Sequence, residues 1–238
     1  MVAREFSVER GVMRRNYSIL TAAVVCATVV LLGVGGCGGS KKEAEEPEEP
    51  PASTSAGLTP SSAVQFGPDG TPVKTLDSFP DGQDGANVQG VIKTDKGDIV
   101  LEFYPDVAPV TVASFLHLAR TGFYNGTTFH RVEPGFVIQG GDPKSKDPNA
   151  TDVGTGGPGY YLPAEFSDRK HETGTLAMAR SSSPDSGGSQ FYICLAPQPD
   201  LDGQYTVFGK VVSGMEVVNS IAPGDVIREV VIRPKTGA

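Results

Sequence analysis

Apolar residues in the last two thirds of the chain recur in short alternating runs, separated by glycine, proline and polar residues. Ile99, Leu101 and Phe103 stand at every second position, which predicts a half-buried strand. Together with the apolar run before it, this strand predicts a β-hairpin over residues 91–103 with its turn at residues 95–98.

The next apolar pattern has a helical period. Four apolar residues fall at i, i+3, i+4 and i+7, which predicts a helix with one buried face: Val112, Phe115, Leu116 and Ala119. Pro105 and Pro109 precede this helix, and Gly122 supplies its stop signal. His117 lies on the predicted solvent side, where we expect it to be inert. A second, short helix is predicted over residues 214–221.

Strand patterns account for most of the remaining chain. The stretch 129–142 predicts two short strands around a turn at Pro134 and Gly135. Further strands are predicted over residues 175–179, 190–195, 206–212 and 226–233. Many strands and two helices, without regular alternation between them, favour an antiparallel barrel or sandwich.

Composition narrows the class of protein. The chain has 238 residues, enough for one domain of ordinary size with extra segments or for two small domains. Its 30 glycines and 19 prolines, and the absence of tryptophan, fit many short strands and turns better than long helices. A net charge of -8 and a pI near 4.9 argue against a nucleic-acid partner, since no basic stripe is present.

Motifs for metal, hydrolase or dinucleotide chemistry lack the context they require. The three histidines are scattered and Cys194 stands alone in an apolar run, so zinc-ligand spacing is missing. The segment 187–191 lacks the second glycine of a nucleophile elbow. The glycine-rich segment 154–159 has neither a strand before it nor a helix after it, and a dinucleotide site needs both. We therefore expect no metal and no cofactor.

Residues 1–37 have the pattern of a secretory signal, in which arginines precede an apolar run from Ile19 to about Val34 and small residues follow. The sequence Val-Gly-Gly-Cys that ends at Cys37 resembles the cleavage site of a bacterial lipoprotein, which predicts Cys37 as the lipidated first residue of the mature chain. The alternative is an uncleaved membrane anchor, but about 16 apolar residues are short for a span that needs roughly 20. Met13 is an alternative start, since the residues before it make the basic region unusually long.

Residues 38–86 change to an acidic, proline- and serine-rich composition with few apolar residues. Such a segment buries too little apolar surface to offset the entropy of ordering it, and its composition favours an extended chain. We predict a disordered tether, with an acidic docking site as the alternative. Five apolar residues without a period are expected at most to contact the folded domain loosely: Val64, Phe66, Val73, Leu76 and Phe79.

Arg131 is the candidate for chemistry in the strand pair at 129–142. It is close in sequence to Phe136 and Gln139, and a buried guanidinium costs several kcal/mol unless it is hydrogen-bonded. The alternative is that Arg131 extends from its strand into solvent.

Three separated motifs carry a resemblance to a known family. FHRVEPGFVIQGGD at residues 129–142, GTLAMARSSSPDSGGSQFYI at 174–193 and LDGQYTVFGKV at 201–211 resemble, in their order and rough spacing, the cyclophilin family of peptidyl-prolyl isomerases. The resemblance covers about residues 87–234. It implies a closed eight-stranded antiparallel barrel capped by two α-helices, in a domain at residues 87–238.

The same resemblance implies the residues of the site. Arg131 matches the family's catalytic arginine, whose guanidinium would donate to the twisting amide. The expected proline pocket consists of Phe136, Val137, Phe191 and Leu201, with Val137 where many relatives have methionine. The expected contacts to Arg131 and to the substrate backbone come from Gln139, Gln190, Ala179 and Arg180.

Departures from eukaryotic relatives concern three positions. Tyr205 stands where those relatives have histidine and keeps bulk and a hydroxyl, so we expect activity to persist. Arg180 replaces an asparagine, but a backbone contact to substrate survives that change. Asp200 stands where those relatives have the tryptophan that contacts cyclosporin, so only weak cyclosporin binding is expected.

The resemblance and the predicted signal together imply a monomeric peptidyl-prolyl cis-trans isomerase, anchored to a bacterial membrane outside the cytoplasm. Its expected partners are proline-containing unfolded or exported polypeptides. One alternative is a binding module that holds proline loops without turnover. A solute-binding lipoprotein is a further alternative, but it would need a cleft between two larger domains.

Overall fold

The computed structural model describes residues 65–67 and 69–235. The signal segment at residues 1–37, with Cys37, and the tether as far as residue 64 lie outside the described residues, so the predictions made for them stay predictions.

The described chain is mainly β. Its strands are β1 Gln65–Phe66, β2 Pro72–Val73, β3 Val88–Thr94, β4 Gly97–Phe103, β5 Arg131–Val132, β6 Val137–Gly140, β7 Thr175–Met178, β8 Phe191–Cys194, β9 Val207–Ser213 and β10 Glu229–Pro234. β1 pairs only with β2, and the other eight strands form one antiparallel sheet in the order β10-β3-β4-β9-β7-β8-β6-β5. The predicted mainly-β class with eight antiparallel strands is therefore confirmed.

The two edges of this sheet meet without a strand ladder. β5 and β10 are the edge strands, and no ladder joins them within the described residues. The two segments that precede β5 and β10 do contact each other. Thr128 and Val226 form an isolated antiparallel bridge, and the Phe129 N–H donates to the Asp225 carbonyl at 2.9 Å. The sheet is an open half-barrel, and the expected closed barrel is not confirmed. With only two residues, β5 offers no ladder that could close it.

Two α-helices accompany the sheet, as predicted. Helix α1 is Pro109–Arg120 and helix α2 is Met215–Ser220. The first backbone N–H groups of α1, at Val110 and Thr111, donate to the two carboxylate oxygens of Glu165 at 2.9 and 2.8 Å. A carboxylate there satisfies donors that have no partner within the helix and opposes the positive end of the helix dipole.

The main core lies between α1 and the inner face of the sheet. Phe115 and Leu116 of α1 are fully buried there with Leu101 of β4 and Phe208 of β9. The rings of Phe115 and Phe208 lie 5.5 Å apart, a distance typical of favourable aromatic pairs. The apolar positions predicted for α1 are therefore the buried ones.

The hairpin of β3 and β4 has a tighter turn than predicted. Thr94 pairs with Gly97 and Lys93 with Asp98, so only Asp95 and Lys96 remain in the loop. Gly97 already belongs to β4 with a φ of 132°, a value that glycine adopts without the strain a side chain would add. The predicted four-residue turn is wrong for this reason.

The tether predicted to run through Ala86 is wrong for its last part. Phe79 is 2% exposed and belongs to the main core, with its ring 5.4 Å from that of Tyr160. An ion pair and a further side-chain hydrogen bond join the same segment to α1: Arg120 donates to both carboxylate oxygens of Asp84, and the His117 Nδ1 lies 3.0 Å from the Asp81 carboxylate. His117, expected to be inert, therefore helps to hold this segment against α1.

In the described part of the chain, none of the helices is both long and apolar enough to cross a bilayer, and no cluster of three or more potential metal ligands occurs.

Candidate active site

Two of the sequence-predicted residues, Arg131 and Gln139, stand in a row of paired residues that runs across four strands. Arg131 of β5 pairs with Gln139 of β6, Gln139 pairs with Tyr192 of β8, and Tyr192 pairs with Ala177 of β7. Directly paired residues on adjacent strands point to the same face of a sheet, so these four side chains share one face. The next row, which includes Phe191, points to the main core.

A small apolar cluster covers this outer face and forms the floor of the site. Its buried members are Val137, Ala177, Tyr192, Cys194 and Val207. A pocket of about 130 Å³ opens above this cluster. The residues around the pocket are Arg131, Phe136, Val137, Gln139, Ala179, Arg180, Tyr192, Leu201 and Tyr205. All but Tyr192 were predicted as site residues, so the motifs brought together the expected set with two exceptions, Phe191 and Gln190.

Arg131 stands at the rim of the pocket with a partly exposed guanidinium. Its side chain is 46% exposed, and its Cζ lies 5.5 Å from the centre of the Phe136 ring. The nearest carboxylate oxygen, on Glu133, is 3.8 Å from the Arg131 Nε. This distance is too long for a hydrogen bond, and the guanidinium makes no hydrogen bond to another described residue. Its N–H groups can therefore donate to a substrate in the pocket.

The two glutamines do not hold Arg131 directly. The Gln139 amide donates to the Gln190 side-chain oxygen at 3.0 Å. The Gln190 amide in turn donates to the carbonyls of Gly154 and Gly156, at 2.9 and 2.8 Å. Gln190 therefore joins the pocket to the glycine-rich loop, and within the described residues no hydrogen bond joins the side chain of either glutamine to the Arg131 guanidinium, contrary to the prediction.

Phe191 does not line the pocket, and this prediction is wrong. Its side chain is 0% exposed and packs edge-on against Phe115 and Tyr124 in the main core. Tyr192, which the sequence analysis missed, lies on the pocket side instead. Strand alternation could have found it, because side chains of consecutive residues point to opposite faces and Tyr192, not Phe191, is in register with Gln139.

Arg180 and Tyr205 line a further part of the pocket wall. The Arg180 Cζ lies 4.6 Å from the centre of the Tyr205 ring. Its guanidinium also donates to the carbonyls of Gln204 and Ser181, at 3.1 and 2.9 Å. These contacts fix the Arg180 side chain against the wall, so we assign it a structural part in the pocket.

A second, larger cavity of about 500 Å³ adjoins the pocket and shares Gln139, Ala179 and Arg180 with it. The loop at residues 154–161 supplies the longest continuous stretch of its wall, and Thr71 lines it as well. We call this space the loop cavity.

Asp142 holds the loop cavity in shape. Its carboxylate accepts hydrogen bonds from the backbone N–H groups of Lys144, Gly154 and Gly156, and its side chain is fully buried. A Cβ on Gly156 would lie 2.1 Å from the Asp142 Oδ1, so only glycine fits there.

Burial changes the titration of two groups on the floor of the pocket. It raises the pKa of the Tyr192 hydroxyl well above its ordinary value and raises the pKa of the Cys194 thiol to about 12. Both groups therefore stay protonated near neutral pH, and the floor carries no charge of its own.

Comparisons with known proteins agree with this arrangement. Residues 90–236 match the family model described as cyclophilin type peptidyl-prolyl cis-trans isomerase/CLD. A peptidyl-prolyl cis-trans isomerase of Synechococcus elongatus is 48% identical over 146 residues, which are 60% of this chain and 95% of that protein. The peptidyl-prolyl cis-trans isomerase B of Bacillus subtilis is 51% identical over 138 residues, which are 57% of this chain and 91% of that protein.

A solved structure shows the same fold. The crystal structure of a cyclophilin type peptidyl-prolyl cis-trans isomerase from Cryptosporidium parvum aligns with a TM-score of 0.56 at 33% identity, over 62% of this chain and 99% of that one. The chain belongs to the cyclophilin-type peptidyl-prolyl cis-trans isomerases, and its activity is the cis-trans isomerisation of X-Pro bonds.

Proposed function

We propose that this isomerase grips the proline ring in the 130 Å³ pocket while the Arg131 guanidinium stabilises the twisted amide. Rotation about a peptide bond meets a barrier of about 18–20 kcal/mol because amide resonance is lost. A catalyst for this rotation needs no nucleophile and no metal, but it must bind the twisted amide more tightly than the planar forms.

Three features of the site support these roles. The floor of the pocket is apolar and the pocket has room for one small ring, so the proline side of the bond can be held still. Arg131 stands at the rim with N–H groups that can reach the amide as it loses planarity. The Gln139 side chain, one position across the sheet, is held by Gln190 and offers its oxygen to the substrate backbone. The position of the Arg131 guanidinium is the observation that carries the proposal.

The test is Arg131→Ala in a protease-coupled assay on an Xaa-Pro peptide. Loss of a donor that acts in the transition state costs roughly 10²–10³ in rate, so we expect kcat/KM to fall by about that factor. Arg233→Ala is the matched control, because Arg233 is an exposed arginine on β10 that does not line the pocket. An Arg131→Ala protein that unfolds at the wild-type temperature and keeps its activity would defeat the mechanism.

The same assay separates catalysis from a non-catalytic role. A binding module that holds proline loops would bind the peptide without accelerating isomerisation. Peptide binding, measured by chemical-shift changes, with no acceleration over the uncatalysed rate would favour that alternative.

We further propose that the isomerase acts outside the cytoplasm on unfolded or exported polypeptides and is anchored through a lipid on Cys37. The support is the basic and apolar pattern of residues 1–37 and the small residues before Cys37. Cells that express the full chain or Cys37→Ser, fed a palmitate analogue, provide the test. Equal labelling of both proteins, or labelling of neither, would overturn the anchor.

Weak cyclosporin binding is proposed as well. Asp200 is exposed beside Leu201 at the pocket, where a carboxylate gives an apolar drug no surface to pack against. We expect Asp200→Trp to inhibit at lower drug concentration than the wild type. Inhibition of the wild type at low nanomolar drug would contradict this.

A monomer is the proposed state of the folded domain. Sedimentation of the soluble domain at micromolar concentration tests it, and a dimer would contradict it.

A further inference from the structure

A chain of three polar side chains, of which His171 and Tyr192 are buried and Asp202 is partly exposed, leads away from the floor of the proline pocket. The His171 Nδ1 is 3.1 Å from the Asp202 Oδ1, and the His171 Nε2 is 3.0 Å from the Tyr192 hydroxyl. The His171 side chain is 0% exposed, and Tyr192 is 5% exposed at the pocket floor. We infer that Asp202 and His171 are positioning residues for the isomerase, which act by fixing the ring of Tyr192 under the bound proline.

The chemistry of the three side-chain groups determines which atom donates in each hydrogen bond between them. The Asp202 Oδ1 accepts from the backbone N–H of His171 at 2.9 Å as well as from the ring, and the Lys170 Nζ lies 3.3 Å from its other oxygen. A carboxylate can only accept, so the His171 Nδ1 carries the proton. In the neutral imidazole the Nε2 carries a lone pair, and the Tyr192 hydroxyl, which keeps its own proton, donates to it.

Asp202 remains a carboxylate for the same reasons. Its hydrogen bonds from the His171 backbone, then from the His171 ring, lower the pKa of the Asp202 carboxyl from its ordinary value. A fixed carboxylate selects one tautomer of the imidazole, as the second partner of a histidine commonly does. Asp202 thus sets the orientation of the Tyr192 hydroxyl through the His171 ring.

The Tyr192 ring needs this restraint because it forms part of the pocket floor. It stacks on the His171 ring at a centroid distance of 6.0 Å and an angle of 14°, and it meets the Tyr205 ring edge-on at 5.8 Å. A phenol without its acceptor leaves a buried hydroxyl unpaired, which is costly enough to favour tilting of the ring toward solvent. Tilting would move the ring into the space that the proline occupies.

This role predicts a specific kinetic signature. The floor contacts the proline ring in the planar and twisted states alike, so loosening it weakens the binding of both. A uniform loss of binding raises KM and leaves kcat unchanged. Arg131, in contrast, is expected to act on kcat.

The experiment compares Tyr192→Phe, His171→Leu and the double variant with the wild type, with KM and kcat measured on one Xaa-Pro peptide. One net hydrogen bond corresponds to about a fivefold change in an equilibrium constant, so each single variant should raise KM by about fivefold with kcat within twofold. The double variant should raise KM no further than the single variants, because either substitution breaks the same link. His117→Leu is the matched control, since it breaks a different histidine–aspartate pair, between α1 and Asp81.

A spectroscopic measurement keeps the test valid if His171→Leu does not fold. Ring ¹⁵N shifts of His171 should report the Nδ1–H tautomer in the wild type and in Tyr192→Phe, which removes only the hydroxyl group of the ring. Wild-type KM in Tyr192→Phe, or additive KM effects in the double variant, would overturn the inference, and so would an Nε2–H tautomer in the wild type.

Discussion

The proline pocket and the loop cavity lie side by side but are built in different ways. The pocket is lined by side chains that the strand ladders and the turns next to them hold in register, and it is only about 130 Å³. The loop cavity is nearly four times as large, at about 500 Å³, and the glycine-rich loop at residues 154–161 supplies the longest continuous stretch of its wall. One wall is set by register, the other by the hydrogen bonds of a single buried carboxylate.

The two cavities also differ in the part of the chain that lines them. Every residue of the proline pocket lies within the span that matches the family, residues 90–236. Thr71 of the loop cavity lies before that span, on a segment held in place by Tyr161, whose N–H donates to the Pro72 carbonyl at 2.8 Å and whose hydroxyl donates to Asp69 at 2.7 Å. We expect the pocket to select proline and the loop cavity to select a residue near it.

Phe136→Ala should have the largest effect of the changes that test this division. It removes an apolar wall of the pocket and the ring over which Arg131 lies, together worth about 2 kcal/mol. We expect kcat/KM to fall by roughly 30-fold for every Xaa-Pro peptide, whichever residues flank the proline. Phe166→Ala, which removes a phenylalanine ring that is 43% exposed, serves as the control. Losses that differ strongly among peptides would show that the pocket also reads the flanking residues.

Gly156→Val should have the next largest effect, and a different one. Its Cβ would lie 2.1 Å from the Asp142 Oδ1, so the loop must move and its hydrogen bonds to Asp142 must break. Overpacking of this kind costs about 1–3 kcal/mol, and we expect kcat/KM to change by up to about tenfold, unequally among peptides. Gly157→Ala is the matched control, because a Cβ on Gly157 meets no atom within 4 Å. A uniform loss for all peptides would remove the distinction between the two cavities.

Thr71→Arg tests the part of the wall that precedes the family span. A long cation at this edge of the loop cavity should change the ranking of peptides that differ next to proline by about two- to threefold, comparable to a weak surface charge interaction. Thr75→Arg places the same side chain on the same segment at an exposed position that does not line the cavity. If both variants alter the ranking equally, charge alone is responsible and the wall has no part in selection.

The same contrast explains how much the sequence could predict. Strand and helix periods, with the three motifs, predicted α1, the strand pair at 129–142 and eight of the nine pocket residues, because these positions are set by local pattern and register. The choice of Phe191 over Tyr192 failed by one residue, since two adjacent aromatic residues in a strand look alike until the register with Gln139 is known.

Contacts between distant segments explain the other failures. Phe79 lies in an acidic, proline-rich stretch whose composition predicts disorder, and its burial depends on partners such as His117 and Tyr160 that are far away in sequence. The hydrogen bonds of Gln190 to the glycine loop depend likewise on a fold of that loop which has no periodic pattern.

The smallest effect is expected on the chemical labelling of Cys194, a buried cysteine on the floor of the proline pocket. Changes in the proline pocket and in the loop cavity should affect this labelling differently. Burial raises the pKa of the Cys194 thiol to about 12, so at pH 8 the reactive thiolate is only about one part in 10⁴ of the total. Iodoacetamide at pH 8 should leave Cys194 unmodified in the native protein and alkylate it in denaturant, as measured by mass spectrometry of the peptide that contains it. Phe136→Ala, which opens the pocket above this floor, should raise the labelling rate slightly, while Gly156→Val should not. Rapid labelling of the native wild type would mean that the pocket floor opens without a substitution. Strand register would then not be enough to keep the floor of the proline pocket closed.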